Sequence, residues 1–280
     1  MNGSRREKMA QLPDRVAEAM YEAASRWRKD SGVRSYLGMS GIGGTCRRKI
    51  WYGFRGYTPT ALEGRVQMIF SMGDAVELQT LRWLEQAGYI VKDRQRSFEL
   101  LNGLLRGHCD GIIEGVTSRP HILEIKSASA SRFKLFKENG ICGTSPEYAA
   151  QVQMYMGCAG LDRALFVVMN KNTCEILTER VHFRKTEFDA LVEKALEIIS
   201  ADVEIKAYGR DARECGMCDY RMHCWHAPYI QEAPTCGTCL HCAFHGIAPF
   251  CRKHDHDILK WGMACPEWEF LDAGLDVVPF

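Results

Sequence analysis

Apolar residues recur along the chain in two periods, and these periods divide it into short strands and amphipathic helices. Runs with the alternation or the short apolar stretches of strands lie near residues 90–100, 104–114, 121–128, 163–171 and 174–183. Helical spacing covers residues 8–30, 64–88 and 185–207. Strands interleaved with helices predict an α/β fold in which helices flank a mixed central sheet.

One acidic residue falls on the apolar stripe of the helix predicted over residues 64–88. The stripe consists of Phe70, Gly73, Leu81 and Leu84. Glu77 lies on the same side of the helix. A carboxylate on the buried side of a helix is costly unless it is paired or bound to a metal, so Glu77 is a candidate ligand.

Residues 107–126 have the pattern of a single hairpin with a turn near Thr117. That hairpin places Asp110 opposite Glu124, and Lys126 shares a face with Glu124 because side chains alternate along a strand. Two carboxylates this close repel each other unless a cation lies between them, and oxygen ligands suit Mg²⁺ or Mn²⁺. An amphipathic strand with a solvated charged face explains the hairpin equally well when it is considered alone.

A further helix begins with a strong signal, Ser145 as N-cap and Pro146 at the first helical position. Gln151 and Tyr155 are four residues apart in this helix and therefore project from one face. This pair and the isolated Glu77 are weak signals individually. Their order along the chain makes them specific.

That order resembles the motifs of the RecB-type nucleases of the PD-(D/E)XK superfamily. The matching positions are Glu77, Asp110, Glu124-Ile125-Lys126 and Gln151-x-x-x-Tyr155. The segment SYLGMSGIGGTCRRKIWYGFRG is also similar to the opening of phage exonucleases of this superfamily. Many RecB-type nucleases have a histidine where this chain has Glu77, and a glutamate there resembles the lambda-exonuclease-like branch. The resemblance implies a PD-(D/E)XK, restriction-endonuclease-like core.

The resemblance also implies a role for each matching residue. Four residues would hold the catalytic Mg²⁺ or Mn²⁺, directly or through water: Glu77, Asp110, Glu124 and, through its backbone carbonyl, Ile125. Lys126 would orient the attacking water or stabilise charge on the phosphate. Gln151 and Tyr155 would position the substrate strand or brace Lys126. The implied reaction is phosphodiester hydrolysis.

The thirteen cysteines are many for 280 residues, and most are clustered. Cys215, Cys218 and Cys224 form a C-x2-C-x5-C run, and Cys46 lies far upstream. Nothing resembles a signal peptide and no apolar run reaches the ~20 residues of a membrane span, so we expect a cytoplasmic protein with metal-binding thiols. The spacing allows zinc or an iron–sulfur cluster. This pattern, one distant upstream cysteine followed by C-x2-C-x5-C, resembles that of the iron–sulfur nucleases of CRISPR adaptation and bacterial recombination. The resemblance implies a structural [4Fe–4S] cluster.

The segment that begins at Thr235 is rich in cysteine and histidine but short, so a structural metal is expected to stabilise it. Zinc fits best, with the predicted ligands Cys239, Cys242, Cys251 and Cys265. Cys236 or His254 is an alternative ligand, and a second iron–sulfur cluster is the main alternative metal. The sequence thus predicts a helical segment, a nuclease core and a metal-stapled Cys-rich module over residues 1–35, 36–230 and 231–280.

Net charge is only +1, which gives no support for a globally basic DNA-binding surface. DNA contact is therefore expected from local patches, whose basic side chains would bind phosphates. The candidates are Arg47, Arg48 and Lys49 beside Cys46, and Arg132 and Lys134 after the Glu124 strand. Either run is equally typical of an ordinary solvated face.

The combined pattern predicts a DNA exonuclease that uses Mg²⁺ or Mn²⁺ in phage or bacterial recombination, repair or genome processing. DNA is the expected partner, with a single-strand annealing or recombination protein as a candidate second partner and no membrane. A structure-specific endonuclease is one alternative. A non-catalytic DNA-binding or assembly subunit is another, which the complete set of motif residues disfavours.

Overall fold

The computed structural model describes residues 15–26, 34–225, 234–258, 261 and 265–272. The chain divides into two compact units, one made of Met1–Gly32 and Ala61–Met72 and the other of Val33–Thr60 and Gly73–Phe280. All the site residues predicted from the sequence belong to the second unit. The three-part division at residues 35 and 230 stays a prediction.

The helices of the described residues number eight, of which four were predicted from the sequence and four, over residues 47–55, 130–144, 213–216 and 221–225, were not. They are α1 (Arg15–Arg26), α2 (Arg47–Arg55), α3 (Gly64–Gln86), α4 (Ala130–Thr144), α5 (Pro146–Ala159), α6 (Lys185–Ser200), α7 (Arg213–Gly216) and α8 (Arg221–Trp225). The helix predicted to reach residue 207 ends at Ser200, because Ala201 has extended backbone with φ −72° and ψ 128°. The predicted stripe of α3 is buried at Leu81, which is 4% exposed, but not at Phe70, which is 42% exposed.

The helix predicted over residues 8–30 lies partly outside the described residues, and the described part is α1. None of the helices in the described ranges is long and apolar enough to cross a lipid bilayer.

The strands form three sheets in the described part of the chain. They are β1 (Leu37–Gly38), β2 (Ile90–Lys92), β3 (Arg96–Leu100), β4 (Leu105–Cys109), β5 (Gly111–Glu114), β6 (His121–Ala128), β7 (Arg163–Asn170), β8 (Ile176–His182), β9 (Cys242–His245), β10 (Ala248–Cys251) and β11 (His256–Asp257). The central sheet has the order β2-β5-β6-β7-β8, and the smaller sheets are β1-β4-β3 and β11-β10-β9. In the central sheet β6 and β7 are parallel and the other neighbours antiparallel, which confirms the predicted mixed sheet.

Two of the predicted strands are each interrupted once. The run over residues 90–100 breaks where Asp93 and Gln95 have positive φ, 47° and 53°. The run over residues 104–114 breaks at Asp110, because β4 pairs with β3 whereas β5 pairs with β2 and β6. The chain therefore changes sheets at Asp110, and this carboxylate lies at the junction between them.

Strand β6 occupies the middle of the central sheet, between β5 and β7. Its residues Ile122, Leu123 and Ile125 are buried, as expected for a strand with neighbours on both sides and α4 and α5 packed nearby. Glu124 and Lys126 interrupt this apolar run. Two charged side chains are thus held in the densest part of the fold.

Candidate active site

Asp110 and Glu124 are brought together by the β5–β6 hairpin. Gly111 pairs with Leu123, so Asp110 and Glu124 are the next facing positions in the register. The backbone N–H of Ile125 donates a hydrogen bond of 2.6 Å to Asp110 Oδ2. Asp110 is 7% exposed and Glu124 is 1% exposed. The predicted hairpin and the predicted pairing of these carboxylates are confirmed.

The two oxygens of Glu124 have very different surroundings. Oε1 accepts hydrogen bonds from Lys126 Nζ and, at 2.8 Å, from Gln151 Nε2. Gln151 Nε2 also donates to the Tyr155 hydroxyl at 3.0 Å. Oε2 is buried and has no hydrogen-bond partner among the described residues. A buried carboxylate oxygen without a donor is costly, so this atom has an unmet need for a proton or a cation.

Glu77 reaches the same site from α3 through a residue that the sequence did not single out. Gln95 Nε2 donates to Glu77 Oε1 at 2.7 Å, and Gln95 also hydrogen-bonds the Asp110 carboxylate. Gln95 lies at the positive-φ break between β2 and β3. The only sequence signal was the polar stretch around it, which interrupts the alternation of the predicted strand.

The charges of the site are strongly coupled. Burial, reinforced by the Asp110 charge, raises the pKa of Glu77 to about 7. Burial also raises the pKa of Asp110, and it raises the pKa of Glu124 to about 8. Burial acts to lower the pKa of Lys126, but Glu124 and Asp110 outweigh it and raise that pKa to about 12. Lys126 therefore stays protonated, and one ammonium does not balance three neighbouring carboxyl groups.

A hard divalent cation fits this donor set. Carboxylate and carbonyl oxygens are the ligands that Mg²⁺ and Mn²⁺ prefer, and a cation would give Glu124 Oε2 a partner. Among the described residues no group of three or more His, Cys, Asp or Glu is already arranged as an ion site. The three carboxylates are at present hydrogen-bonded to Gln95, to Lys126 and to the Ile125 N–H. To bind one ion together, their oxygens would have to rotate away from these donors and toward the ion.

Three of the four cysteines predicted to hold an iron–sulfur cluster are neighbours. Cys218 and Cys224 are each close enough to Cys46 to feel its charge, and burial raises the pKa of both thiols. The fourth, Cys215, is tied to Cys218 by a turn in which the Cys218 N–H donates to the Cys215 carbonyl at 3.2 Å. The assignment of these four cysteines as cluster ligands stays a prediction.

The Cys-rich module contains a cavity of about 290 Å³. It is lined by Cys236, Cys239, Cys242, Cys251, His254, His256, Ile258 and Cys265. Cys242 and Cys251 face each other across β9 and β10, and His254 Nε2 lies 3.2 Å from Cys265 Sγ. Burial raises the pKa of Cys242 to about 11. The four predicted zinc ligands and both alternative ligands therefore surround one space.

The basic run beside Cys46 has a different environment from the one predicted. Arg48 is 3% exposed, which corrects its assignment to DNA binding, because a buried guanidinium cannot reach a phosphate. Arg47 is paired with Glu197 and, at 2.9 Å, with Glu204. Lys49 lies 3.4 Å from Asp219. This run is tied into the fold, so it is not the open basic patch that was expected.

The second basic patch lies beside the carboxylates. Arg132 is exposed, and its guanidinium is 5.8 Å from the centroid of the Tyr148 ring. The ammonium of Lys126 is 5.1 Å from the same centroid. Lys134 is also exposed and lies 3.7 Å from Glu138. Arg132 and Lys126 thus contact the same Tyr148 ring, which places this predicted DNA-binding residue next to the candidate active site.

Comparison with solved structures finds distant likenesses. LHK-Exo in complex with dAMP is 14% identical, with 65% of this chain and 90% of that chain covered and a TM-score of 0.43. A second structure, of LHK-Exo as an alkaline exonuclease from Laribacter hongkongensis, is 16% identical to this chain. The match covers 65% of this chain and 94% of that chain, with a TM-score of 0.38. A phage related exonuclease from Haemophilus somnus 129PT is 18% identical to this chain. The match covers 45% of this chain and 66% of that chain, with a TM-score of 0.35. At TM-scores this low, the chemistry of the site rests on this chain's own geometry.

No curated protein matches this chain. A family match covers part of it, from the end of α3 through α5. The matched segment holds Asp110, Glu124, Lys126, Gln151 and Tyr155, which are the residues that meet around the Glu124 carboxylate. Residues 83–162 match the family model of the YqaJ-like viral recombinase domain, and over this segment the chain is similar to that domain.

Proposed function

We propose that this protein is a divalent-metal-dependent DNA exonuclease of the PD-(D/E)XK type that acts in phage or bacterial DNA recombination. The observation that carries the proposal is the buried Glu124 carboxylate, which has one oxygen without a partner and lies beside Asp110 and Lys126. The family match over residues 83–162 supports the role in recombination.

The metal-binding part of the proposal follows from the donors present. Asp110, Glu124 and Glu77 would hold Mg²⁺ or Mn²⁺, together with the backbone carbonyl of Ile125. The bound ion would supply activated water and neutralise charge on the scissile phosphate. Gln95 holds Glu77 and Asp110 next to each other, which keeps two carboxylates within reach of one ion.

Lys126 acts in this proposal as a positive charge and not as a base. Its pKa is raised, so it is protonated at neutral pH and cannot accept a proton from water. Its side chain is partly exposed, whereas its partner Glu124 is buried. The ammonium can therefore face a bound phosphate while Glu124 and the Tyr148 ring fix its position.

Gln151 and Tyr155 are positioning residues in this proposal. Both are buried, so they do not face the substrate strand. They form a chain of hydrogen bonds from the Tyr155 hydroxyl to Gln151 and on to Glu124 Oε1. Burial raises the pKa of Tyr155, which keeps its hydroxyl neutral. Of the two roles that the sequence suggested, bracing the charged groups fits their burial better.

The cysteine clusters are proposed to hold structural metals. The ligands of a [4Fe–4S] cluster would be Cys46, Cys215, Cys218 and Cys224. The ligands of Zn²⁺ in the Cys-rich module would be Cys239, Cys242, Cys251 and Cys265. Support comes from the proximity of Cys46 to two of its partners and from the shared cavity of the module. Neither site takes part in the reaction.

DNA is the proposed substrate, and Arg132 is the proposed phosphate contact nearest the site. A single-strand annealing or recombination protein is the proposed partner, and the bacterial or phage-infected cytoplasm is the proposed location.

The test is digestion of end-labelled DNA by protein purified without oxygen. Linear DNA labelled at the 5′ or the 3′ end and covalently closed circular DNA would be incubated with Mn²⁺ or with EDTA. We expect Mn²⁺-dependent release of label from linear DNA, no cleavage of circles, and no activity in Lys126→Ala. The control Lys185→Ala removes an exposed lysine paired with Asp189 and should remain active.

Three outcomes would contradict this proposal. Cleavage of closed circles with the same dependence on Lys126 would mean an endonuclease. DNA binding without digestion of any substrate, by folded protein supplied with Mn²⁺, would mean a binding subunit. Full activity of Lys126→Ala would show that the Glu124 site is not the site of hydrolysis.

A further inference from the structure

Helix α2 contains two buried arginines that no carboxylate neutralises within the described residues. Arg48 is 3% exposed and Arg55 is 0% exposed. Arg48 Nη2 and Arg55 Nη1 are both buried without a hydrogen-bond acceptor in the same part of the chain. Burying a charged group without a counter-ion is very costly, and a guanidinium does not lose its proton to escape that cost. Each site therefore lacks a negative charge.

Arg55 lies against the Cys-rich module. Its Nε donates to the Gly237 carbonyl at 2.6 Å, and its Nη2 is 3.4 Å from the Cys239 carbonyl. The guanidinium also lies 5.8 Å from the centroid of the Phe244 ring, in β9. Gly237, Cys239 and Phe244 belong to the segment that surrounds the thiol-lined cavity. Cys242, one of the cysteines of that cavity, is close enough to Arg55 for their charges to interact.

Arg48 has the same relation to the other cysteine cluster. Its Nε donates to the Tyr52 hydroxyl at 3.2 Å, and the Tyr52 hydroxyl also hydrogen-bonds the Cys224 thiol. Its Nη1 donates to the backbone carbonyl of Glu204 at 2.9 Å, while the Glu204 carboxylate is taken by Arg47. The Cys224 thiol is therefore linked to the Arg48 guanidinium by two hydrogen bonds through a single hydroxyl.

The helix explains how one element serves both clusters. Arg48 and Arg55 are seven residues apart, almost two full turns, so they project from nearly the same side of α2 about 10 Å apart along its axis. Cys46 precedes the helix as its N-cap, and Gly56 ends it in a left-handed conformation with φ 79°. Both ends of α2 are thus fixed beside a cysteine cluster.

We infer that α2 supplies one buried counter-ion to each cysteine cluster, Arg48 to the Cys46 cluster and Arg55 to the Cys-rich module, and that both clusters are anionic metal–thiolate centres. Zn²⁺ with four thiolates is a dianion, and so is an oxidised [4Fe–4S] cluster with four thiolates. Either centre supplies the negative charge that the adjacent arginine lacks. This inference rests on the proposed metal content of the clusters and is independent of nuclease activity.

The inference also bears on the ligands of the Cys-rich module. Four thiolates around Zn²⁺ leave a larger negative charge than three thiolates with His254. A fully buried guanidinium with an unused N–H group favours the more anionic set. The structure thus favours an all-cysteine zinc site, with His254 at its edge beside Cys265.

The experiment measures metal content and metal retention in full-length protein purified without oxygen. Zinc and iron are quantified by mass spectrometry, zinc retention by competition with a chromophoric chelator, and iron retention by the decay of visible absorbance under an iron chelator. The variants are Arg48→Met, Arg48→Lys, Arg55→Met and Arg55→Lys. The matched control Arg47→Met removes two ion pairs from the same helix, with Glu197 and Glu204, and leaves both buried arginines in place.

We expect each methionine variant to lose one metal and keep the other. Arg55→Met should release zinc about 10- to 100-fold more readily while its iron is unchanged, and Arg48→Met should do the reverse, since neighbours of a metal site commonly have effects of this size. The lysine variants should retain metal better because they keep the charge. Arg47→Met should retain both metals.

Three results would overturn the inference. Wild-type protein without zinc and iron would remove the anionic centres and, with them, the proposed metal content. Methionine variants that keep both metals as firmly as wild type would leave the metals in place but exclude the counter-ion role. Equal loss of both metals from Arg48→Met and from Arg55→Met, in variants whose circular dichroism matches that of wild type, would exclude the assignment of one arginine to each cluster.

Discussion

Replacing Gln151 with leucine separates the two roles that the sequence suggested for this residue. Gln151 Nε2 donates to Glu124 Oε1 at 2.8 Å and to the Tyr155 hydroxyl at 3.0 Å, and the side chain is buried. Leucine has a similar volume but no donor, so the change removes both hydrogen bonds and leaves the packing of α5 largely intact. Glu124 then loses one of the two donors that hold its position.

The expected magnitude follows from the bonds that are lost. A hydrogen bond to a charged group contributes about 1.5–3 kcal/mol and a neutral one about 0.5–1.5 kcal/mol. Because about 1.4 kcal/mol corresponds to tenfold in rate, and small misplacement of a catalytic group costs a similar amount, we expect kcat to fall about 10- to 100-fold. KM for DNA should change little, since Gln151 is buried away from the substrate.

The assay is single-turnover digestion of end-labelled linear DNA at saturating Mn²⁺, with DNA concentration varied. Gln153→Leu is the control, because Gln153 is also buried in α5 and donates to the His182 carbonyl while accepting from the Arg184 N–H. This control loses two hydrogen bonds away from Glu124 and should keep its kcat. A raised KM with unchanged kcat in Gln151→Leu would refute the reasoning, because it would mean that Gln151 binds DNA.

Three further predictions follow from single contacts. Gln95→Ala frees Glu77, and titration of activity with Mn²⁺ should show about tenfold more metal needed for half-maximal digestion. Arg132→Ala should weaken DNA binding and reduce the salt dependence of log Kd by about one unit, measured by fluorescence anisotropy. Gly107→Ala would place a Cβ 2.9 Å from Tyr155 Cε1, so thermal melting should show a loss of about 1–3 kcal/mol. An unchanged Mn²⁺ requirement, salt slope or melting temperature would contradict the corresponding contact.

Local patterns in the sequence predicted the pairing of β5 with β6 correctly. Residues two apart on a strand share a face, so Glu124 and Lys126 had to lie on one side of β6, and the turn near Thr117 set Asp110 opposite Glu124. The Ser145-Pro146 signal likewise placed the start of α5 and the four-residue spacing of its site pair. Periodicity and turn chemistry act over a few residues, which is the distance over which a sequence can be interpreted directly.

Other features depended on contacts between distant segments. Gln95 lies beside Glu77 at a positive-φ break between β2 and β3, and the polar stretch around it in the sequence marks the break but not the contact with Glu77. The break at Asp110 arises because β4 and β5 pair with different partners. Helix α6 ends at Ser200, whereas the apolar spacing in the sequence predicted a helix that continues to residue 207.

By itself, the sequence indicated which residues to propose for the chemistry, because their spacing fits a strand and a helix and their order along the chain resembles nuclease motifs. Only the tertiary structure decided their surroundings: which Glu124 oxygen lacks a donor, and that Arg48 and Arg55 are buried beside cysteine clusters. A basic run next to a cysteine looks the same in sequence whether it faces water or the interior. Burial is a property of the whole fold, and it depends on residues more than a hundred positions away, such as Glu204 and Gly237.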